Sequence, residues 1–182
     1  MLNVQLPAIV LLASAFLCQA KTIVVTNTNA SGAGSLPDAV TGASAGDTIT
    51  FNLTYPANIV LCGSVDIYTN IAIEGPGASQ LALSEGMDCI ASIVRVFGAT
   101  VQISGLTIQN GGYPFAGFDE DAGGISNHGG TVTLSKSMLS GNSTHTCGGG
   151  ISNSGTLTVI GSTLSYNYSD DMGGAICGGP LH

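Results

Sequence analysis

Charge is scarce in this chain. Of its 182 residues only 8% are charged, three of them basic and eleven acidic, and tryptophan is absent. Lys21, Arg95 and Lys136 are the only permanent cations. A protein that neutralises nucleic-acid phosphates needs several such groups, so that class of partner is excluded. A polyanionic polysaccharide is disfavoured for the same reason, unless a bound divalent cation reverses the local field. The shortage of Lys, Arg and Glu also removes the usual helix formers. In their place stand Thr, Ser, Asn, Val, Ile and 27 glycines, a mixture that favours strands joined by tight turns. With a formal net charge of −8 spread thinly, the polar surface must consist largely of hydroxyls and amides.

A long hydrophobic span is also missing. The apolar run from Leu6 to Leu17 has twelve residues, too few to cross a bilayer comfortably as a helix. It leads into Cys18-Gln19-Ala20, a small-x-small cleavage pattern. Residues 1–20 therefore read as a secretory signal, with Lys21 as the first residue of a mature chain that carries no transmembrane segment. Met1 to Gln5 lacks the Lys or Arg usual in such signals, and Ala15-Phe16-Leu17 argues against lipid attachment at Cys18. Cys62, Cys89, Cys147 and Cys177 remain. An even count in an exported chain predicts two disulfides, and spacing does not choose among the three pairings. No Cys/His spacing marks a zinc site, so His128, His145 and His182 read as isolated surface residues. No cofactor is predicted.

The second half of the chain repeats. Ala122-Gly123-Gly124-Ile125-Ser126-Asn127 recurs as Gly148-Gly149-Gly150-Ile151-Ser152-Asn153, and again as Gly173-Gly174-Ala175-Ile176, at spacings of 26 and 25 residues. Between these lie Thr131-Val132-Thr133-Leu134, matched by Thr156-Leu157-Thr158-Val159, and Leu139-Ser140-Gly141-Asn142, matched by Leu164-Ser165-Tyr166-Asn167. A fixed period with internal order is the signature of a solenoid. Within each unit apolar residues alternate, as in strands. One unit has room for about three short strands, and stacking units closes the core above and below each one. The expected fold is an all-β, right-handed, single-stranded parallel β-helix, the hand following from parallel crossovers in general. The Gly pairs are expected to supply positive φ at sharp corners. The Asn residues, Asn127 over Asn153 or Asn142 over Asn167, are expected to stack through their amides. A phosphate loop is rejected, because no Lys follows the Gly runs.

The layout extends upstream through Val101, Ile103, Leu106 and Ile108, and through Ile71 and Ile73 ahead of the turn Glu74-Gly75-Pro76-Gly77. Gly111 to Ala122 is longer than the other connections and predicts a protruding loop. Residues 34–45 predict a short capping helix, with Ser35 as N-cap, Pro37 in the first turn and Leu36, Val40 and Ala43 on one face. The chain thus divides into a signal at 1–20, a cap with its first strands at 21–58, and coils at 59–182. The last repeat breaks off at Gly179-Pro180-Leu181-His182, which reads as a truncated end.

From about Thr22 onward the chain resembles bacterial exported parallel β-helix proteins that carry polymorphic outer-membrane-protein-type repeats. The residues behind this are Thr26-Asn27-Thr28-Asn29, Ala45-Gly46-Asp47-Thr48-Ile49-Thr50-Phe51, Ile103-Ser104-Gly105-Leu106-Thr107-Ile108 and Gly173-Gly174-Ala175-Ile176. Leu139-x-x-Asn142 and Leu164-x-x-Asn167 stand where that family has FxxN, with Leu in place of Phe. The resemblance implies a secreted, cell-surface or outer-membrane passenger.

Three functions compete. The first is a non-enzymatic, adhesive surface scaffold that meets carbohydrate or a host or neighbouring cell surface. The second is a polysaccharide lyase or glycoside hydrolase, which needs convergent carboxyls or a base with calcium. Asp119 and Asp121, in Asp119-Glu120-Asp121, could share a face and hold calcium, although a solvated acidic loop is the simpler account. Adjacent Asp170 and Asp171 point apart if they lie in a strand, and Arg95 reads as a structural ion-pair partner. The third is binding to ice or another crystalline surface through Thr131, Thr133, Thr156 and Thr158. Two rungs are few, and Gln102 interrupts the row. No catalytic residue is predicted.

Overall fold

The computed structural model describes residues 19–87, 89, 91–112 and 123–178. They form a β-solenoid in which each coil lies flat on the next, with three strand faces around one core. The first face stacks β1 (Thr22–Val25), β2 (Thr48–Phe51), β5 (Ile71–Glu74), β8 (Thr100–Ser104), β11 (Thr131–Ser135) and β15 (Thr156–Ile160). The second stacks β3 (Ala57–Leu61), β6 (Leu81–Glu85), β9 (Thr107–Gln109), β12 (Met138–Ser140) and β16 (Thr163–Ser165). The third stacks β4 (Val65–Ile67), β7 (Val94–Phe97), β10 (Ile125–His128), β14 (Ile151–Asn153) and β18 (Ile176–Gly178). A minor pair, β13 (Ser143–Thr144) and β17 (Tyr168–Ser169), is parallel like the rest.

The register puts like upon like. Val65, Val94, Ile125, Ile151 and Ile176 form one inward file on the third face. Ile49, Ile73, Ile103, Leu134 and Val159 form another on the first. Ile59, Leu83, Ile108, Leu139 and Leu164 form a third on the second. Most of these side chains are fully buried, and Val159, Leu164 and Ile176, in the last described coil, are partly buried. Because the side-chain period of a strand is two, a slip of one residue would turn a whole file outward.

The helix, α1 (Leu36–Thr41), begins where Asp38 N–H donates to Ser35 Oγ at 3.3 Å. It ends sooner than the sequence predicts. Gly42 N–H already closes on the Asp38 carbonyl at 3.0 Å, so Ala43 lies past the last turn, still packed against the core. Leu36, Ala39 and Val40 are buried, and the helix packs on β4 and β1. It therefore occupies the place in the third face where a strand before β4 would lie. Beyond it, the buried Asp47 carboxylate accepts from Ser44 N–H at 2.8 Å and Lys21 N–H at 2.9 Å, with Lys21 Nζ at 3.7 Å. Those backbone donors, Ser44 first, hold its carboxyl below the ordinary aspartate value.

The repeat glycines do the expected job only in part. Positive φ falls at Gly148 and Gly173, whereas Gly123, Gly124, Gly149, Gly150 and Gly174 keep ordinary backbone angles. What these five require is space. A Cβ on Gly124 would strike the carbonyl oxygen of Gly150, and one on Gly150 would strike that of Ala175, directly across the coil-to-coil spacing. Asn127, Asn142, Asn153 and Asn167 likewise stay out of the left-handed region, and among the described residues the left-handed non-glycine positions are Asn110, Lys136 and Tyr166.

Both asparagine ladders form. Asn127 Nδ2 donates to Asn153 Oδ1 at 2.6 Å and to the Gly130 carbonyl at 3.1 Å, while Gly130 N–H returns to Asn127 Oδ1 at 2.9 Å. Asn142 Nδ2 donates to Asn167 Oδ1 at 3.0 Å and to the Ile108 carbonyl at 3.1 Å, and its Oδ1 takes Gly111 N–H at 2.9 Å. Each amide thus bonds backbone groups at a corner of its own coil and ties them to the next coil.

The cysteines pair Cys62 with Cys89 and Cys147 with Cys177, at Cα separations of 5.2 and 5.5 Å. Each bond joins neighbouring coils, since β3 lies on β6 and β14 on β18.

Replacing Asn127 with Ala is expected to cost about 1–3 kcal/mol, because it strands the buried Gly130 N–H. The outward Thr133→Ala is expected to stay within about 0.5 kcal/mol. Urea unfolding curves measure both. Reduction of the disulfides is expected to cost about 2–4 kcal/mol for each, read from the same curves with and without reductant.

Candidate functional site

Functional chemistry must sit on what points outward, because the files that point inward are filled. On the third face Asp66 lies opposite Arg95 in register. The guanidinium forks onto the carboxylate, with Nε to Oδ1 and Nη2 to Oδ2 both at 2.8 Å. This is the structural ion pair expected for Arg95. Two residues along, the next outward position carries an aromatic ladder. Tyr68 stacks on Phe97 with ring centroids 4.8 Å apart and planes 10° apart, and Phe97 stacks on His128 at 4.7 Å and 5°. The spacing is that of the strands themselves. Arg95 Cζ lies 5.7 Å from the Phe97 ring centre, adding a cation–π contact. His128 is therefore part of a stack and not an isolated surface residue.

The ladder ends at Tyr68 because the following layer is α1, not a strand. Between α1 and β4 lies a cleft of about 400 Å³, bordered by Pro37, Val40 and Thr41 on the helix and Asp66, Tyr68 and Thr69 on the strand side. Tyr68 remains 68% exposed although Phe97 covers one of its faces, so its other face is open to the cleft.

A second cluster lies near the far end. His145 Nδ1 pairs with Asp170 Oδ2, and Tyr168 Oη donates to Asp170 Oδ1 at 2.8 Å. The Tyr168 hydroxyl, and then His145, hold the Asp170 carboxyl below its ordinary value. Asp170 in turn holds the Tyr168 phenol above its own, by hydrogen bond and by charge. His145 is thus tied to the next coil, contrary to the isolated reading. The pairing could have been found from its offset of 25 residues, one repeat length. The aromatic ladder was harder to see, because Tyr68, Phe97 and His128 are separated by 29 and 31 residues.

The first face carries hydroxyls on its outward side. Thr100, Thr131 and Thr156 form one outward column, and Gln102, Thr133 and Thr158 a second. Gln102 interrupts the second column as expected, while Thr100 extends the first to a third rung. Asp119 and Asp121 lie outside the described residues, as does His182. Among the described residues no group of three His, Cys, Asp or Glu is placed to hold a metal ion. The repeat residues Gly123, Gly124, Ile125, Asn127, Asn142, Gly149, Gly150, Ile151, Asn153, Asn167, Gly173, Gly174 and Ile176 belong to the stacking core and its corners, and none of them opens into the cleft. No family model, curated protein or solved structure matches the chain.

The Asp170 geometry makes a titration prediction. A carboxylate beside a phenol opposes formation of the phenolate. Asp170→Asn is expected to let Tyr168 ionise at lower pH than in the wild type. Ultraviolet difference titration compared with a Tyr168→Phe protein isolates that transition.

Proposed function

We propose that the protein is a non-enzymatic, exported β-solenoid that acts as an adhesive or surface-passenger scaffold, secreted or held at a cell surface or outer membrane. The observation that carries this reading is the outward face of stacked hydroxyls and amides, Thr100–Thr131–Thr156 beside Gln102–Thr133–Thr158. A regular array of donors and acceptors suits many weak contacts to an extended partner such as carbohydrate. Other support comes from the carboxylates. Asp47, Asp66, Glu85 and Asp170 are each engaged by donors of the protein itself. The two disulfides suit an oxidising compartment, and the resemblance to outer-membrane-type repeat proteins points the same way. No helix among the described residues is long and apolar enough to cross a membrane.

Polysaccharide cleavage is the competing reading, and the His145–Asp170–Tyr168 cluster is what favours it. Immobilised protein is expected to retain cells or glycan-coated beads and to release neither reducing ends nor unsaturated sugars from polysaccharides. Release that disappears in Asp170→Asn would reverse the assignment.

The export reading makes its own prediction. Cleavage after Ala20 would turn the Lys21 amide, 2.9 Å from the buried Asp47 carboxylate, into an α-ammonium group. A chain beginning at Lys21 is expected to unfold at higher urea concentration than one extended through Gln19-Ala20. Asp47→Asn is expected to abolish the difference. Falling pH should abolish it too. The depressed Asp47 carboxyl contributes stability above the ordinary aspartate range and loses it as pH drops through its own lowered value. Amino-terminal sequencing of secreted material checks the cleavage point.

A further inference from the structure

The cleft between α1 and β4 has room for a small molecule. Its volume of about 400 Å³ falls within the range of roughly 300–1,000 Å³ usual for such sites. Val40 and Val65 form its floor but are almost wholly buried, so the apolar surface it offers comes mainly from Tyr68. Its wall is the open face of Tyr68, held by the stack on Phe97 and His128. A ring fixed this way presents a flat apolar surface without the entropy cost of ordering it on binding. Thr41, Ser64, Thr69 and Asp66 complete the lining, and the Thr41 hydroxyl, which donates to the Pro37 carbonyl at 2.8 Å, can still accept.

Charge selects the occupant. Asp66 is the one carboxylate of the lining, and Arg95 neutralises it through a bidentate contact. No lining residue is a cation, and the chain as a whole carries −8, so an anionic ligand is repelled. Because Arg95 already neutralises Asp66, the lining offers no net charge to hold a cation either, which leaves a neutral molecule with one apolar face and a rim of hydroxyls. We propose that this cleft binds a neutral pyranose unit of a glycan, with the C–H face of the sugar against Tyr68 and its hydroxyls bonded to Asp66 and the nearby Thr and Ser residues. The carboxylate oxygens keep lone pairs for this role after pairing with Arg95. The inference rests on the adhesive reading only for the biological source of the glycan. Sugar recognition in the cleft stands or falls by itself.

The test uses full-length mature protein with isotope-labelled tyrosine and phenylalanine. Cellohexaose, laminarihexaose, mannohexaose and chitopentaose are the neutral probes, and hexagalacturonate the anionic one. At least one neutral probe at millimolar concentration is expected to shift the Tyr68 and Phe97 ring signals, and hexagalacturonate to leave them in place. Tyr68→Ala should weaken binding about tenfold or more, the scale of a lost ring-stacking contact. Tyr68→Phe should retain affinity within about twofold, as only the ring is needed. Tyr166→Ala, at a residue 92% exposed, is the control and should bind like the wild type. The proposal is overturned if no neutral probe moves the Tyr68 signal. It is also overturned if Tyr68→Ala, shown by its remaining spectrum to be folded, binds as well as wild type. A cell-retention assay on the same variants separates the two claims. Retention that survives Tyr68→Ala while sugar binding is unaffected removes the cleft and leaves the scaffold. Sugar binding without retention removes the scaffold and leaves the cleft.

Discussion

The backbone hydrogen bonds between coils govern everything else in this molecule. Each strand pairs with the strand one coil away, in parallel, and the pairing holds on three faces at once. That fixes the axial rise at the strand spacing, near 4.8 Å. Every side chain then has a copy of its own position directly above or below it. An apolar residue repeated in register builds a continuous column, and a polar residue repeated in register builds a ladder. The valine and isoleucine files, the asparagine amides, the threonine columns and the Tyr68–Phe97–His128 stack all follow from that one rule.

The rule also explains why the solenoid needs so few charges. An ionisable group repeated in register would face its own copy at strand spacing, and like charges directly opposite are destabilising. Hydroxyls and amides carry donors and acceptors together, so they tolerate repetition. The Lys and Arg ion pairs among the described residues respect the same logic by placing opposite signs in neighbouring coils, as with Asp66 and Arg95 or Asp47 and Lys21.

Much of the architecture was legible in the sequence because its signal is periodic. The recurrence of Gly-Gly-Ile at Ile125 and Ile151, and of Gly-Ala-Ile at Ile176, located one file, and the Thr-x-Thr segments located another. The capping helix was visible from Ser35, Pro37 and Leu36. Other features depended on facts that periodicity does not carry. Disulfide connectivity follows from which coil lies on which in the early, irregular part of the chain, where the repeat is too weak to count. The aromatic ladder joins residues from coils of unequal length, so no single spacing reveals it. The glycine rows were recognised but assigned to turning, whereas Gly124 and Gly150 are there to let the carbonyl groups of adjacent coils come close. The Tyr68 cleft was hidden for a related reason. It exists only because α1 replaces a strand, leaving one ring without its next partner.

The two cystine links bear on how such a rod would behave under tension. Pulled from its ends, a stack of coils peels one turn at a time, and each turn released lengthens the chain by the contour of some two dozen residues. Cys62–Cys89 and Cys147–Cys177 enclose separations of 27 and 30 residues and keep that slack from being paid out. The covalent path through the protein then shortcuts two of its coils, so force crosses them without lengthening the tether. The stretches without such a link, ahead of Cys62 and between Cys89 and Cys147, would be the ones that yield first.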